Sequence, residues 1–184
     1  SNSSTTGDEV LLAVSVPQDF GDAPAGYDHT QAAAHIISGL YLGSNATEDN
    51  ANVRNASTSP NAGAGAAADS DDAFSSLADI AAKPGSPYSL SVPISGATVS
   101  STVCGWLDFD RNGVFNTSAA SGEQACATVA AGATSATLSW TVPSAVSAGD
   151  SYARFRISAT AAEVTGKPTG LATTGEVEDY PVSI

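Results

Sequence analysis

Basic side chains are scarce in this sequence of 184 residues, which has 6 Lys and Arg against 19 Asp and Glu and a formal net charge of −13. This balance disfavours nucleic acid as a partner, because nucleic-acid binding requires a basic surface that neutralises phosphates. An anionic membrane surface is disfavoured for the same reason. Two interpretations of the acidic excess stay open: a soluble, self-repelling surface, or carboxylates that are paired with cations.

Methionine and long apolar runs are absent as well. Since no stretch of 18 or more apolar residues occurs, the sequence predicts no insertion into a membrane, and no signal-peptide pattern is present. Without a start residue, the chain is expected to be a processed segment, a monomeric module of a longer protein. Hydrophobic residues still make up 42% and charged residues only 14%, which is the composition of a folded domain and not of a disordered chain.

The turn and strand signals predict one mostly β domain. Residues 1–8 form a polar arm that we expect to be flexible, and residues 9–184 are predicted to form a single antiparallel β-sandwich with long loops and little helix. Strand-like runs alternate with Gly, Pro, Asn and Ser turn signals. The predicted strands are Glu9–Val16, Tyr88–Pro93, Thr98–Phe109, Gln124–Val129, Ala136–Val142, Ser151–Ser158 and Val177–Ile184.

Three segments of the first half do not show this strand pattern. Gln18–Tyr27 is rich in turn residues and is predicted to be a loop. Thr30–Leu42 has closely spaced apolar residues and is interpreted as a short helix or an irregular packed segment. Residues 43–72 are dominated by Ser, Asn, Ala, Gly and Asp, and a loop of that length in a compact domain is usually functional or held by something.

The two cysteines, Cys104 and Cys126, each lie in a strand-like run. In an extracellular domain such a pair forms a disulfide, which is our prediction here. The alternative is two buried free thiols. Metal binding by these residues is disfavoured, because neither has a His or Cys neighbour at the spacing of metal ligands.

The most specific local motif is a run of alternating oxygen ligands that begins at the end of the predicted strand Thr98–Phe109. Asp108, Asp110 and Asn112 occupy positions 1, 3 and 5, and Gly113 occupies position 6. This is the first half of a calcium-binding loop, in which alternate side chains converge on one ion and glycine permits the sharp turn. Val114 would contribute its backbone carbonyl at position 7.

The second half of this motif departs from an EF-hand. Position 12 is Ala119, where the EF-hand has an acid, and the nearest replacement is Glu123. The flanking segments are predicted to be strands and not helices. We therefore predict a related calcium loop outside the EF-hand fold, as opposed to a simple turn rich in Asp and Asn.

Further acidic clusters are also candidate ligands, because several Ca²⁺ ions would offset much of the charge. The candidate metal ligands outside the main loop are Asp19 and Asp22 in one turn, Asp69, Asp71 and Asp72 in the long loop, and Glu176, Glu178 and Asp179 near the C terminus. Each has an alternative: an ordinary Asp-Gly turn, a solvated charge run, and a cross-strand ion pair with Arg154 and Arg156, respectively.

Several motifs together carry a family resemblance. They are Asp19–Pro24 with Tyr27, His35 with Leu40–Gly43, Gly105–Asp110 with Asn112–Phe115, Tyr152–Ser158 and Gly175–Tyr180. In this order they resemble the GEVEDY-type domain of large bacterial surface proteins, from about Asp19 to Ile184. Among such modules, the chain is similar to the peptide-binding domain of long calcium-dependent RTX-type adhesins, including bacterial ice-binding adhesins.

The resemblance implies a β-sandwich with several bound Ca²⁺ ions on an extracellular cell-surface fibre. It also implies recognition of short peptide or protein ends on another cell, with calcium required for the fold or for ligand contact. We expect the ligand to lie near the long loop and the Asp19 turn. The candidate ligand-binding residues there are Tyr27, Asp28, Glu48 and Asp49.

Other functions remain as alternatives. A carbohydrate-binding module would use calcium to chelate sugar diols and an aromatic platform drawn from Tyr27, Tyr41 and Tyr88. A structural spacer would use calcium only for rigidity. Catalysis is not expected, since the histidines are limited to His29 and His35 and no Gly-x-Ser-x-Gly motif occurs.

Overall fold

The computed structural model describes residues 16–28, 31–46, 48, 72–81 and 83–184. The predicted arm, most of the first predicted strand and most of the long loop therefore lie outside the described residues. The described part contains two 3-10 helices, Ala25–Asp28 and Ala161–Glu163. Its strands are β1 (Gln18–Phe20), β2 (Ala33–Ile36), β3 (Tyr41–Leu42), β4 (Pro87–Ser95), β5 (Ser101–Leu107), β6 (Gln124–Val129), β7 (Ser135–Thr141), β8 (Asp150–Ser158), β9 (Gly170–Ala172) and β10 (Glu176–Ser183).

These strands form three sheets. The largest has the order β10-β8-β5-β6, a second has the order β3-β4-β7, and a third has the order β1-β2-β9. All the paired strands are antiparallel except β2 and β9. The mostly β architecture agrees with the predicted β-sandwich. Within the part of the chain that the structure describes, no helix is both long and apolar enough to cross a membrane.

Side-chain alternation along β8 shows why the four-stranded sheet is covered on both faces. Ala153, Phe155 and Ile157 belong to the main hydrophobic core with residues of β4 and β7. Arg154 and Arg156, which alternate with them, face the other way and are also fully buried. The β1-β2-β9 sheet covers this polar face, because the Arg156 side chain reaches the backbone of β2 and β9.

Two sequence-based assignments in the first half are wrong. Thr30–Leu42, interpreted as a short helix or an irregular segment, contains β2 and β3. Gln18–Tyr27, predicted to be a loop, begins with β1. The three residues from Ala33 to His35 are all buried, so β2 lacks the apolar–polar alternation that identifies a half-buried strand.

The cysteine prediction is confirmed. Cys104 on β5 and Cys126 on β6 are directly opposite each other in the antiparallel pair, and their Sγ atoms are bonded at 2.03 Å. This disulfide joins the two strands that lead into and out of the predicted calcium loop.

Candidate metal centre

The connection between β5 and β6 brings three carboxylates together. Asp108 directly follows β5, and Glu123 directly precedes β6. Because Trp106 pairs with Gln124 across these strands, the two ends of the connection meet. Oxygen atoms of Asp108, Asp110 and Glu123 all lie within 4.8 Å of one another. Glu123 is the acid that the sequence suggested as a replacement, because position 12 of the motif is Ala119.

Backbone amides fix the front of the loop. The Asn112 N–H donates to Oδ1 of Asp108 and to Oδ1 of Asp110, each at 3.1 Å. The Gly113 N–H donates to Oδ2 of Asp108 at 3.0 Å. Gly113 has φ of 80° and Arg111 has φ of 60°, so the loop needs two residues in the left-handed region, which glycine adopts without penalty.

Asn112 is used within the loop itself. Its Oδ1 accepts a hydrogen bond from the Val114 N–H at 2.9 Å, and its Nδ2 donates to Oδ2 of Asp110 at 3.0 Å. Both side-chain donor and acceptor therefore stabilise the turn. The predicted roles of Asn112 and of the Val114 carbonyl as metal ligands stay predictions, while the three carboxylates form the centre.

Burial makes this centre electrostatically unfavourable without a cation. Asp108 is 0% exposed and Glu123 is 1% exposed, and neither forms an ion pair with Lys or Arg among the described residues. Burial raises the pKa of Asp108. Burial also raises the pKa of Glu123 to about 7, and the charges of Asp110 and Asp108 add to this effect. A divalent cation would relieve the repulsion between these groups.

Two residues that were not predicted to bind the metal, Tyr27 and Asn116, support the carboxylates through hydrogen bonds. The Tyr27 hydroxyl donates to Oδ2 of Asp108 at 2.7 Å. The Asn116 N–H and Nδ2 donate to Oε2 and Oε1 of Glu123 at 2.7 and 3.2 Å. Tyr27 was expected to bind a ligand, but it is 6% exposed and its ring packs 4.5 Å from that of Phe115. Its observed role is to support the loop.

The residues that could bind a metal ion suit a hard cation. All the candidate ligand atoms of the side chains are oxygens, and three of the side chains are carboxylates. Ca²⁺ binds six to eight oxygen ligands in a flexible geometry, whereas softer metals prefer nitrogen and sulfur. Hydrogen bonds that orient such ligands are typically important for affinity, and Tyr27 and Asn116 supply them here. The residues present are therefore compatible with calcium.

The carboxylates around β10 have other partners. Asp179 is bound by Arg154, whose Nε and Nη2 donate to Oδ1 and Oδ2 at 2.7 Å each. Asp28 accepts from Nη1 of Arg154 at 2.9 Å. Asp19 accepts from the Val177 N–H at 2.6 Å. The ion-pair alternative is thus confirmed for Asp179, and Asp28, predicted to bind a ligand, is buried in the same network.

The glutamates of β10 are hydrogen-bonded to neighbouring segments. Glu176 is buried and accepts from the Leu42 N–H. Glu178 accepts from the Ala73 N–H at 3.1 Å and from the Tyr180 hydroxyl. Among the described residues, the centre formed by Asp108, Asp110 and Glu123 is the group in which three or more potential ligands converge. Asp19, Asp22, Asp72, Glu176, Glu178 and Asp179 are not part of it.

The remaining predicted residues are distributed outside this centre. Glu48 is exposed. Asp49, Asp69 and Asp71 lie outside the described residues.

The strand β10 carries the Glu-Val-Glu-Asp motif at its start, and the side chain of Val177 in this motif is buried.

Residues 102–183 match the family model of the GEVED domain. The match covers less than half of the chain and supports a GEVED-type domain in that region. No curated protein and no solved structure matches the chain significantly.

The matched region contains the candidate metal centre, the disulfide and both buried arginines. Residues before it complete the structure: Tyr27 contacts Asp108, Asp28 contacts Arg154, and His35 contacts Arg156. The folded unit therefore extends beyond the matched residues.

Proposed function

We propose that the chain is a calcium-dependent ligand-binding module of a large bacterial surface adhesin. Its partner would be a peptide or protein end on another cell, and its place would be extracellular, at the cell surface. The match of residues 102–183 to the GEVED domain supports the family part of this proposal. The disulfide between Cys104 and Cys126 is consistent with an oxidising, extracellular compartment.

The observation that carries the calcium part is the convergence of Asp108, Asp110 and Glu123 within 4.8 Å. Two of these carboxylates are almost completely buried. Burying ionised carboxylates without a paired cation is costly. The three side chains would hold the ion, and Asn112 and the Val114 backbone lie beside them. Bound calcium would neutralise the site and tie the two ends of the β5–β6 connection together.

The burial of the centre also bears on how calcium would act. With Asp108 and Glu123 enclosed, an ion there would serve mainly to hold the loop. Contact with the ligand is then expected elsewhere, in the region of the long loop. Tyr27 and Asp28 are not proposed as ligand contacts, because both are buried and engaged with Asp108 and Arg154.

The same burial favours a second candidate, a structural spacer that calcium rigidifies. A carbohydrate-binding module has less support, because one of its three proposed platform residues is buried and a second packs against another aromatic ring. Tyr27 is buried, and the ring of Tyr88 packs 5.8 Å from that of Trp140. A peptide panel and a glycan array, each read with calcium and with chelator, distinguish the three candidates.

The calcium part is tested by titrating metal-free protein with Ca²⁺ in a calorimeter and by following thermal unfolding in parallel. We expect saturable binding that raises the unfolding temperature, and a loss of at least about tenfold in affinity for Asp110→Asn and Glu123→Gln. Asp79→Asn is the matched control, since Asp79 is exposed and lies outside the centre. Equal stability with calcium and with excess chelator would refute the proposal.

A further inference from the structure

His35, on β2, is completely buried and uses both ring nitrogens. Its Nδ1 lies 2.8 Å from the carbonyl oxygen of Thr174. Its Nε2 lies 2.9 Å from Nε of Arg156 on β8. The metal centre does not use this contact, and the candidate functions do not require it.

The partners of His35 determine its protonation. A carbonyl oxygen can only accept, so Nδ1 must carry the hydrogen. The arginine Nε–H can only donate, so Nε2 must present its lone pair. His35 is therefore the neutral imidazole with hydrogen on Nδ1. A second proton on Nε2 would face the Nε–H of Arg156 and place two cations in contact in a buried layer.

Arg156 uses its other donors to hold the small sheet. Nη2 donates to the carbonyls of Ala34 on β2 and Gly170 on β9, at 3.2 and 2.6 Å. Nη1 donates to the carbonyls of Lys167 and Thr169, at 2.7 and 3.0 Å. One buried guanidinium thus fastens β2, β9 and the segment before β9 to the four-stranded sheet.

The elements packed around His35 carry both cations and carboxylates, among them Asp19 directly opposite it on β1, and the charge effects that shift the pKa of His35 come from the cations. From β8 come Arg154 and Arg156, whose charges oppose protonation. The carboxylates of the surrounding elements are hydrogen-bonded to other groups. These are Asp19 on β1 with Val177, Glu176 and Asp179 on β10 with Leu42 and Arg154, and Glu163 after β8 with Ser158 and Thr173. Burial, followed by Arg156, lowers the pKa of His35 well below its usual value, against the opposing effect of Thr174.

We propose that His35 and Arg156 form a pH-sensitive latch that holds the β1-β2-β9 sheet on the four-stranded sheet and releases it on acidification. Protonation of His35 removes the acceptor for Arg156 Nε and adds a repelling charge, so the contacts of Arg156 with β2 and β9 are lost together. Asp19 lies on β1 of the released sheet, so its hydrogen bond from the Val177 N–H of β10 would be lost as well. This inference is independent of the calcium proposal, because neither residue contacts the metal centre.

The direction of the pH effect follows from proton binding. The unfolded chain takes up a proton on His35 below a pH of about 6.5, whereas the folded chain does so only at lower pH. The contribution of His35 to the unfolding constant must therefore rise as the pH falls. For one such group, the rise between pH 7.0 and 5.5 is about eightfold.

The experiment compares wild type with His35→Gln, which keeps an acceptor for Arg156 and does not titrate. Denaturant unfolding is measured at pH 7.0 and 5.5, at one fixed calcium concentration and again in chelator. We expect the excess rise of about eightfold in wild type to disappear in His35→Gln and to remain in His29→Gln, the control at the other histidine. An equal rise in wild type and His35→Gln would overturn the latch.

If His35→Gln does not fold, two measurements on the wild-type protein test the proposal instead. Nitrogen-15 NMR of the imidazole should show hydrogen on Nδ1 and no titration near pH 6.5. Hydrogen exchange, corrected for its intrinsic pH dependence, should show β2 and β9 losing protection on acidification before β5 does. Titration of folded His35 near pH 6.5, or loss of protection in all three strands together, would contradict the proposal.

Discussion

The Tyr27 hydroxyl and the Asp108 carboxylate are joined by a hydrogen bond of 2.7 Å, although the residues are 81 positions apart. The contact links the turn after β1 to the loop after β5. A second close approach lies beside it, since a Cβ atom at Gly26 would lie 3.4 Å from the Gly113 carbonyl oxygen. Two motifs that are separate in the sequence therefore form one structural unit, in which Tyr27 orients a candidate calcium ligand.

Tyr27→Phe should weaken calcium binding without unfolding the domain. The change removes one donor to Asp108 but keeps the ring that packs against Phe115. Loss of a hydrogen bond that orients a metal ligand typically weakens affinity by about 10- to 100-fold. We expect about a tenfold loss, measured by calorimetric titration with Ca²⁺.

Tyr152→Phe is the matched control for this change. The Tyr152 ring lies 5.4 Å from that of Tyr27, in the same aromatic cluster, but Tyr152 does not contribute a hydroxyl bond to Asp108. Its calcium affinity should stay within about twofold of wild type. Equal effects of the two substitutions would show that the hydrogen bond from the Tyr27 hydroxyl to Asp108 does not specifically support calcium binding.

Gly21→Ala should destabilise the domain by disturbing a buried ion pair. A Cβ atom at this position would lie 2.6 Å from Nη2 of Arg154 and 2.7 Å from Oδ2 of Asp179. The pair cannot move into solvent, because Arg154 is fully buried. Overpacking and the disruption of a buried pair together predict a loss of about 3 kcal/mol in the free energy of unfolding, measured by denaturant titration.

Gly26→Ala provides the comparison within the same segment. The nearest atom to its Cβ would be the Gly113 carbonyl oxygen at 3.4 Å, close to ordinary van der Waals contact. Its cost should be below about 1 kcal/mol. Similar losses for Gly21→Ala and Gly26→Ala would argue against the steric explanation.

Much of the C-terminal half could be predicted from local sequence patterns. The predicted strand Gln124–Val129 has the observed bounds of β6, and the disulfide between Cys104 and Cys126 is present. Position 12 of the calcium-loop motif is Ala119 and not an acid. Glu123 was identified as the nearest acidic replacement, and it lies close to Asp108 and Asp110 in the candidate metal centre. These features follow from alternation, turn signals and spacing over short stretches, which the sequence displays directly.

Contacts between distant segments could not be predicted in the same way. The ion pair of Arg154 with Asp179 was one of the two alternatives for the C-terminal acids, but no local pattern marks the second partner of Arg154, Asp28, which is 126 residues away. β9 has three residues and pairs in parallel with β2, so neither its length nor a hairpin turn marks it. For the same reason the spacing of acids near Asp19 and Glu176 suggested chelation, whereas the fold pairs them with backbone amides and arginine.

Reduction of the disulfide should lower stability through the unfolded state. The bond between Cys104 and Cys126 spans 22 residues, and closing a loop of that size contributes about 3 kcal/mol in the chain-entropy model. We expect a comparable fall in the free energy of unfolding when denaturant titrations are repeated with a thiol reductant.

The double variant Cys104→Ala with Cys126→Ala controls for other effects of the reductant. Its stability should match that of the reduced wild-type protein within about 1 kcal/mol, and reductant should not change it. Sensitivity of this variant to reductant would show that the effect does not come from the disulfide.

Calcium affinity should fall as the pH falls below about 7, the value to which burial, together with Asp110 and Asp108, raises the pKa of Glu123. Calcium requires the ionised carboxylate, so binding below this pH must displace a proton. Affinity should fall by up to about tenfold per pH unit, and calorimetry in buffers of different ionisation enthalpy should detect close to one released proton at pH 6.

Glu123 should also make the stability of the metal-free protein depend on pH. The direction is opposite to that of calcium affinity, because stability falls as the pH rises. Its folded pKa lies above that of an ordinary glutamate in the unfolded chain, about 4.3, so the folded state binds the extra proton between these values. The contribution of Glu123 to stability is therefore complete below a pH of about 4.3 and is lost as the pH rises through about 7. Glu123→Gln should abolish both this dependence and the proton release. If wild-type affinity and stability vary with pH just as those of Glu123→Gln do, the pH effect does not arise from this carboxylate.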